Sequence, residues 1–291
     1  MDGPHSPPRI LFVSSEVVFM PEGNGGSPNY ICPRTGGFSD SLANLISGLS
    51  DLGADVYVTQ PDYRKIFTTL YQSGSLTVSK KIPGDRVCLT RDRVFFYANR
   101  LHENFQEENA KISLAFQREV IHHVIVEVQP DLLHCHDWMT GLIPAMAKIY
   151  RIPCLFTFQN PNTAKTLLAH VEDIGIDAAA FWQYLFYDRY PISYEESRGT
   201  NSIDFLLSGI LSADFVNASS SAFLSNMALK QSALTKLRLW ELLVTKMSAG
   251  CAAISSNISK VQPHIAIYER MLQRSLFQPK RKYANVKAVA S

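Results

Sequence analysis

Residues 130–158, PDLLHCHDWMTGLIPAMAKIYRIPCLFTF, contain the pattern that decides the fold. Within this stretch, residues 132–134 and 154–158 are short apolar runs, which are typical of strands buried on both faces of a sheet. Residues 140–150, between these two runs, have the pattern of a helix. A strand, a helix and a second strand in succession need a crossover connection, which predicts a parallel sheet.

The same alternation continues on both sides of this unit. Further strands are predicted over residues 10–13, 55–59 and 215–218, and further helices over residues 38–52, 108–128 and 202–212, the last with Ser202 as its N-cap. We therefore assign the chain to the α/β class, with a Rossmann-like parallel sheet and helices on both faces. Sheets of this kind bind ligands at the carboxyl ends of their strands.

Outside this alternation the pattern changes. Residues 70–99 predict an antiparallel excursion. We divide the chain into a Rossmann-like domain at residues 9–231, a helical extension at residues 232–278 and a basic, disordered tail at residues 279–291. A second set of alternating strands is not evident, so we expect a second Rossmann-like domain to be missing.

Composition and charge exclude some classes of function. Hydrophobic residues make up 46% of the chain and charged residues 19%, which is ordinary for a packed globular protein. The net charge is +2, and four basic residues belong to the last stretch, at Lys280, Arg281, Lys282 and Lys287. The folded body is therefore close to neutral. This argues against a nucleic-acid partner, which needs clustered positive charge on the protein.

Cysteine usage and hydropathy indicate where the protein works. The five cysteines are odd in number and include no Cys-x-x-Cys pair, which predicts a reduced, cytoplasmic protein. Residues 1–8 contain no apolar run, so we expect no signal peptide. No segment approaches the ~18 consecutive apolar residues of a membrane span, and we expect no membrane partner.

The first candidate motif is Arg34-Thr35-Gly36-Gly37, directly before a predicted helix. Paired glycines let the backbone approach a ligand closely, and a helix start offers unpaired N–H groups and a positive dipole end. Arg34 could add a bidentate contact to a phosphate. The spacing alone leaves two interpretations open, a phosphate site and a loop in which the glycines only make a tight turn.

The second motif is His134-Cys135-His136-Asp137-Trp138, at the end of a predicted strand. Residues two apart on a strand face the same way, so His134 and His136 should share a side. Metal ligands, core or helix-capping residues, and a sugar site are all compatible with this motif. A metal needs three or four converging ligands, and the sequence shows no further cluster. The position at a strand's carboxyl end favours the sugar site.

Two further polar segments follow predicted elements. Gln159 and Asn160 come after the strand at residues 154–158, and they either face the same crevice or form a polar turn before Pro161. Asp204 lies in the first turn of a predicted helix, where the dipole stabilises a carboxylate. That structural role is a sufficient account of Asp204 from the residues alone.

Taken together, four segments resemble signatures of bacterial glycogen synthases and plant starch synthases, and they occur in the family's order. They are Ser15-Glu16 with residues 34–40 (SSE…KTGGLAD in the family), Pro130-Asp131 with residues 134–142 (PDVVHAHDWQTGL), residues 156–160 (FTIHN) and residues 203–214 (INFLKAGIxxAD). The resemblance covers residues 9–230, and the four signatures together are far more specific than any one of them.

The resemblance implies the N-terminal, acceptor-side half of a GT-B glycosyltransferase, whose active site lies in the cleft between two domains. Such an enzyme transfers glucose from ADP-glucose to the 4-OH at the non-reducing end of an α-1,4-glucan, with retention of configuration and without a metal or other cofactor. The implied catalytic residues are His136 and Asp137, beside the transferred glucose. The implied substrate-binding residues are Arg34, Gly36, Gly37, Gln159, Asn160 and Asp204.

Departures from the family pattern bear on activity. Arg34 and Leu207 replace lysines, Gln159 replaces a histidine, Asp204 replaces an asparagine, and residues 22–32 enlarge the loop before Arg34. The family's second domain supplies an arginine, a lysine and a glutamate around the diphosphate and ribose. A leaving phosphate needs its developing charge stabilised, so we expect the chain alone to be weakly active or inactive.

The leading hypothesis is therefore a glucosyltransferase domain that uses ADP-glucose and a glucan such as glycogen or starch. A chain that supplies the second GT-B domain is a candidate partner. The alternative, motivated by the substitutions at Arg34, Gln159 and Leu207, is a non-catalytic glucan-binding or regulatory half-synthase.

Overall fold

A computed structural model describes residues 7–19, 32–33, 37–72, 76–77, 82, 84–98, 106–159, 161–218, 234–248, 254–255 and 261–276. The five strands predicted from apolar runs are all present, and six further strands accompany them among these residues. In chain order the strands are β1 (Arg9–Ser14), β2 (Cys32–Pro33), β3 (Asp55–Pro61), β4 (Leu76–Thr77), β5 (Val87–Thr90), β6 (Leu132–His136), β7 (Cys154–Phe158), β8 (Lys165–Thr166), β9 (Ile203–Asp204), β10 (Phe215–Ala218) and β11 (Ile254–Ser255).

Helices alternate with these strands along the chain. They are α1 (Gly37–Asp51), α2 (Arg64–Gln72), α3 (Arg93–Phe96), α4 (Gln106–Glu119), α5 (Ile125–Val128), α6 (Ile143–Tyr150), α7 (Leu168–Asp173), α8 (Tyr194–Thr200), α9 (Phe205–Ser212), α10 (Leu234–Ser248) and α11 (Val261–Leu276). A π-helical turn, Val120–Val124, joins α4 to α5, so the helix predicted over residues 108–128 is continuous but locally widened.

Seven strands form one sheet in the order β11-β10-β7-β6-β1-β3-β5, and every neighbouring pair in it is parallel. This confirms the predicted Rossmann-like sheet. Each parallel pair needs a crossover, and α1 provides the one from β1 to β3, just as α6 provides the one from β6 to β7.

The core lies on both faces of the sheet. Along β1, Leu11 and Val13 belong to one buried cluster, whereas Ile10 and Phe12 belong to the other. This alternation follows from the two-residue period of a strand. The first cluster packs under α4, α5, α6, α9 and α10, and the second under α1 and α11. Helices on both faces explain why the strands are almost entirely apolar.

Two local predictions are wrong. Within residues 70–99, β4 does pair in an antiparallel sense, but its partner is β2 outside that region, and β5 is parallel and extends the main sheet beside β3. Ser202 is not the N-cap of α9, because the chain is still extended at Asp204, which pairs with Lys165. Asp204 is the N-cap instead, and its Oδ1 accepts a hydrogen bond from Leu207 N at 2.9 Å.

The segment after residue 232 contains two helices and a short strand among its described residues. The strand β11 joins the main sheet beside β10, and α11 packs against α1 and β6. The helices α1 and α11 approach closely at Gly48, where an added Cβ would lie 2.5 Å from Val261 Cγ2. In the described part of the chain, no helix combines the length and hydropathy needed to cross a bilayer.

Candidate substrate site at the carboxyl edge of the sheet

The ends of three central strands bring polar residues into one row. In the sheet register Ser14 of β1 lies beside His136 of β6, and His136 lies beside Thr157 of β7. The next residue, Asp137, donates its backbone N–H to Thr157 O at 2.8 Å. Because all three strands are parallel, these residues share the carboxyl edge, where ligands bind in this class of fold.

The helix α1 begins at the same edge. Its Ser39 hydroxyl donates to Glu16 Oε2 at 3.5 Å, and Glu16 N donates to Ser14 Oγ at 3.2 Å. The start of α1 is therefore held beside the end of β1. Gly37 is the first residue of the helix, where free N–H groups and the dipole favour an anion.

His136 lies inside the protein rather than on its surface. Its side chain is 1% exposed, and its ring stacks on Phe12 with centroids 5.9 Å apart and planes 15° apart. The ring of His134 is 4.1 Å away, which confirms that the two histidines share a side of β6. His134 hydrogen-bonds to Tyr268 Oη at 2.8 Å and to Thr157 Oγ1 at 2.7 Å, so it links α11 to two strands.

The helix α11 contributes a third buried imidazole. His264 is fully buried, its ring lies 5.7 Å from that of His134, and its Nε2 is 3.4 Å from Asn217 Nδ2 on β10. Three buried imidazoles therefore lie together between the sheet and α11. Burial, followed by the neighbouring imidazoles, lowers the pKa of His134 well below its usual value. Burial and His264 lower the pKa of His136 to about 3, so it is neutral near pH 7.

These shifts predict that mild acid destabilises the fold. The pKa of His136 is 6.5 unfolded and about 3 folded, so the unfolded chain binds the proton first as pH falls. The free energy of unfolding is therefore at its full value above pH 6.5 and decreases from there towards pH 3. Denaturant titrations between about pH 7 and pH 5 should show a slope of about one proton for each such histidine. The variant His136→Gln should lose about one proton of that slope; an unchanged slope would contradict the assignment.

Asp137 has a strained backbone. Its φ is 62° and its ψ 173°, a region that is essentially restricted to glycine and costs about 1–3 kcal/mol for other residues. Its Oδ1 accepts from Trp138 N at 3.1 Å, and Thr140 Oγ1 donates to its carbonyl oxygen at 2.9 Å. The side chain is 9% exposed. Strain of this kind, at the end of a central strand, is consistent with the prediction of Asp137 as a site residue.

Asp204 is close to the same loop. It is 1% exposed, and its Oδ1 accepts from Thr163 Oγ1 at 2.7 Å in addition to capping α9. Its Oδ2 is buried without a hydrogen-bond partner among the described residues. Burial raises the pKa of this carboxyl group, which weakens its tendency to ionise. The following residue, Phe205, stacks on Trp138 with ring centroids 6.1 Å apart, which ties Asp204 to the Asp137 loop.

Comparison with known proteins identifies the family. The sequence model of the starch synthase catalytic domain matches residues 9–232. The chain belongs to this family. Within it, the glycogen synthase of Moorella thermoacetica is 25% identical over 75% of this chain and 45% of its own length. The glycogen synthase of Photobacterium profundum is 27% identical over 76% of this chain and 45% of its own length.

A solved structure agrees with the fold of this starch synthase-family chain. The catalytic domain of starch synthase IV from Arabidopsis thaliana, bound to ADP and acarbose, matches with a TM-score of 0.58 and 15% identity. The match covers 84% of this chain and 50% of that structure. The chain spans about half the length of the curated relatives it matches.

The structure brings several of the predicted site residues of this family member to one edge. His136 and Asp137 are at the end of β6, the half-buried Gln159 follows β7, and Gly37 begins α1. Asp204 joins the group through Trp138 and Phe205. Arg34, Gly36 and Asn160 lie outside the described residues, so their places in the site stay predictions. The described part of the chain contains no group of three or more His, Cys, Asp or Glu residues suited to a metal ion.

Sequence analysis did not predict the residues that pack against the two histidines of β6. Thr157, His264 and Tyr268 contact the histidines of β6 or lie beside them, and two of them come from α11, beyond the family match. The only local signal is that His264 and Tyr268 are four residues apart and so share a helix face. That spacing does not predict which strand this face of α11 packs against.

Proposed function

We propose that this chain is the acceptor-side half of a glucosyltransferase that moves glucose from ADP-glucose to the non-reducing end of an α-1,4-glucan, with retention. The observation that carries the proposal is the register of β1, β6 and β7, which brings the described parts of three of the four signatures to one sheet edge. Membership of the starch synthase catalytic domain family supports a glucosyl transfer. The ADP in the related starch synthase IV structure supports ADP-glucose as the donor.

The side chains have distinct proposed roles. The Asp137 carboxylate accepts hydrogen bonds from hydroxyl groups of the reacting sugars, held in place by its own strained loop. His136 is neutral, so it acts as a hydrogen-bonding and packing group beside the glucose and not as a charged acid. Gly37, with Arg34 and Gly36 before it, presents backbone and guanidinium donors to the diphosphate. Gln159, Asn160 and Asp204 line the sugar side of the crevice.

Activity should depend on a second domain. A crevice at one sheet edge encloses a donor from one side, and the charge that develops on the leaving diphosphate needs donors from the other side as well. We propose that a second domain supplies them, and that residues 1–291 alone transfer glucose slowly. Cys88, Cys135 and Cys154 are free thiols, which suits a reducing, cytoplasmic location.

The test is transfer of labelled glucose from ADP-glucose to glycogen. We expect little transfer by the purified chain and a marked rise when the separately expressed C-terminal half of a full-length relative is added. In that reconstituted system Asp137→Asn should reduce transfer by about 10²-fold or more, because a group acting on the reacting sugar is lost. The matched control is Asp177→Asn, which changes an exposed residue outside the candidate site and should leave the rate unchanged.

Three results would count against this proposal. Robust transfer by the purified chain alone would contradict the need for a second half. Equal rates for Asp137→Asn and the unmodified chain would remove Asp137 from the mechanism. Glucan co-sedimentation that survives His136→Ala, without transfer under any condition, would favour a glucan-binding or regulatory role instead.

A further inference from the structure

A relay of hydrogen bonds runs from α11 to the backbone of the candidate site. Tyr268 Oη lies 2.8 Å from His134 Nδ1, and His134 Nε2 lies 2.7 Å from Thr157 Oγ1 on β7. The backbone oxygen of Thr157 in turn accepts the N–H of Asp137 at 2.8 Å. We call Tyr268, His134 and Thr157 the hydrogen-bond relay. It connects a side chain of α11 to the first backbone group of the Asp137 loop.

Every member of the hydrogen-bond relay is buried. Tyr268 is 3% exposed, and His134 and Thr157 are fully buried. Hydrogen bonds inside a protein are electrostatically stronger than those in water, and losing one partner there is costly. Both ring nitrogens of His134 have a partner, so its imidazole cannot turn without breaking both bonds. The ring of His136 lies 4.1 Å from this fixed imidazole, so the relay also fixes the surface on which His136 packs.

The protons of the relay have a preferred direction. Burial lowers the pKa of His134, so its imidazole is neutral and has one donor nitrogen and one acceptor nitrogen. The phenol of a tyrosine is far more acidic than the hydroxyl of a threonine, which makes it the better donor. This favours the arrangement in which Tyr268 donates to His134 Nδ1 and the Nε2–H of His134 donates to Thr157 Oγ1. Tyr268 then sets the tautomer of His134.

The relay ends on the most strained residue of the site. Asp137 has a φ of 62°, and such a conformation persists only where the surrounding structure holds it. The bond from its N–H to Thr157 O is one of the contacts that hold it. Thr157 also lies beside His136 in the register of β6 and β7. A shift of Thr157 would therefore move the backbone on which both proposed catalytic residues depend.

Stability alone does not account for polar side chains at these positions. Apolar residues of the same shape at both partners of a buried hydrogen bond are often neutral or stabilising. The ring of Tyr268 already packs in the buried cluster under α1 and α11, where its hydroxyl adds nothing to the apolar contact. A hydroxyl, an imidazole and a second hydroxyl in line are needed only if the relay has to fix positions.

We infer that Tyr268 is a positioning residue for glucosyl transfer, which holds the Asp137 loop in its strained conformation through His134 and Thr157. The inference rests on the proposed function, because it is there that the Asp137 carboxylate acts on the reacting sugars. The helix α11 lies outside residues 9–232, which the family model matches. Support for the site therefore comes from a segment beyond the family match.

The experiment compares Tyr268→Phe, which removes the hydroxyl and keeps the ring, with the unmodified chain. Hydrogen exchange of the Asp137 amide, measured by NMR on the chain alone, should become about three- to tenfold faster. The ring nitrogen signals of His134 should shift, because Nδ1 loses its donor. In the reconstituted transfer assay kcat should fall about three- to tenfold with little change in the KM for ADP-glucose, since the donor-binding groups are elsewhere.

The matched control is Tyr187→Phe. Tyr187 is also buried, and its hydroxyl donates to Trp182 O at 2.8 Å instead of joining the relay. This variant should leave the Asp137 amide exchange, the His134 signals and kcat unchanged. A second variant, Thr157→Val, breaks the relay at its other end. The double variant Tyr268→Phe/Thr157→Val should be about as impaired as either single variant, because both break the same relay. Melting curves show whether each variant is folded.

The outcomes separate this inference from the proposed function. Unchanged Asp137 amide exchange in folded Tyr268→Phe and Thr157→Val would overturn the inference. Equal effects of Tyr268→Phe and Tyr187→Phe, or fully additive effects in the double variant, would overturn it as well. Absence of transfer by the unmodified, reconstituted chain would instead count against the proposed function, and the exchange measurement would still decide whether Tyr268 holds the Asp137 loop.

Discussion

A chain truncated after residue 260, which lacks α11, is expected to lose most of its stability. Ile267, Tyr268 and Met271 of this helix are at most 3% exposed, and burial of each such side chain contributes about 1.5–3 kcal/mol. Truncation also removes the hydroxyl partner of His134 Nδ1, and a buried polar atom left without a partner costs about 1–3 kcal/mol. Together these losses approach the ~5–15 kcal/mol that stabilises a typical domain.

Thermal and urea unfolding of the truncated chain would measure this effect. We expect no cooperative transition, or one at a much lower temperature. Met271→Ala in the full chain should cost about 2–5 kcal/mol, because it leaves a cavity beneath the helix. Glu269→Ala, at an exposed position of the same helix, should change the free energy of unfolding by less than about 0.5 kcal/mol. A truncated chain that melts like the full one would show that α11 is dispensable.

The second large effect is expected for Gly141→Ala. An added Cβ at residue 141 would lie 2.6 Å from the carbonyl carbon of Phe205 and closer still to its oxygen, and both are backbone atoms that cannot rotate away. The strand-to-helix turn after β6 and the start of α9 would have to separate. Overpacking usually costs 1–3 kcal/mol, and a backbone clash belongs at the upper end or above, so we expect a loss of about 3 kcal/mol or more.

The matched control for this substitution is Gly199→Ala. Nothing lies within 4 Å of the Cβ that it would add, and the residue is in α8. Alanine favours a helix over glycine by up to about 1 kcal/mol, so this variant should be as stable as the unmodified chain or slightly more so. Equal unfolding midpoints for the two alanine variants would contradict the packing of Gly141 against Phe205.

Local pattern was enough to predict most of the sheet. The apolar runs at β1, β6 and β7 are short and lie next to clear helical segments. These runs therefore predict strands, and the crossover rule predicts that the strands are parallel. The cap of α9 was misplaced because Ser202 and Asp204 are both good capping residues. Pairing of Asp204 with Lys165, 39 residues earlier in the chain, decides between them.

The candidate site was predicted only in part, because some of its contacts join residues that are distant in sequence. The spacing of His134 and His136 correctly placed both on one side of β6, because strand geometry is local. Their burial depends on α11, whose Tyr268 lies 134 residues away from His134 along the chain. No period or motif encodes a contact of that range. The close approach at Gly141 was missed as well, because its neighbour Phe205 is also distant in sequence.

At residue 137 the backbone conformation favours glycine, whereas the proposed sugar chemistry requires aspartate. Glycine would adopt its φ of 62° without penalty, so Asp137→Gly would release strain while giving up the 3.1 Å hydrogen bond that Asp137 Oδ1 accepts from Trp138 N. Selection for thermostability alone would therefore favour the replacement of Asp137 by glycine. A library screened first for heat resistance and then for sugar chemistry should enrich glycine in the first round and restore aspartate in the second.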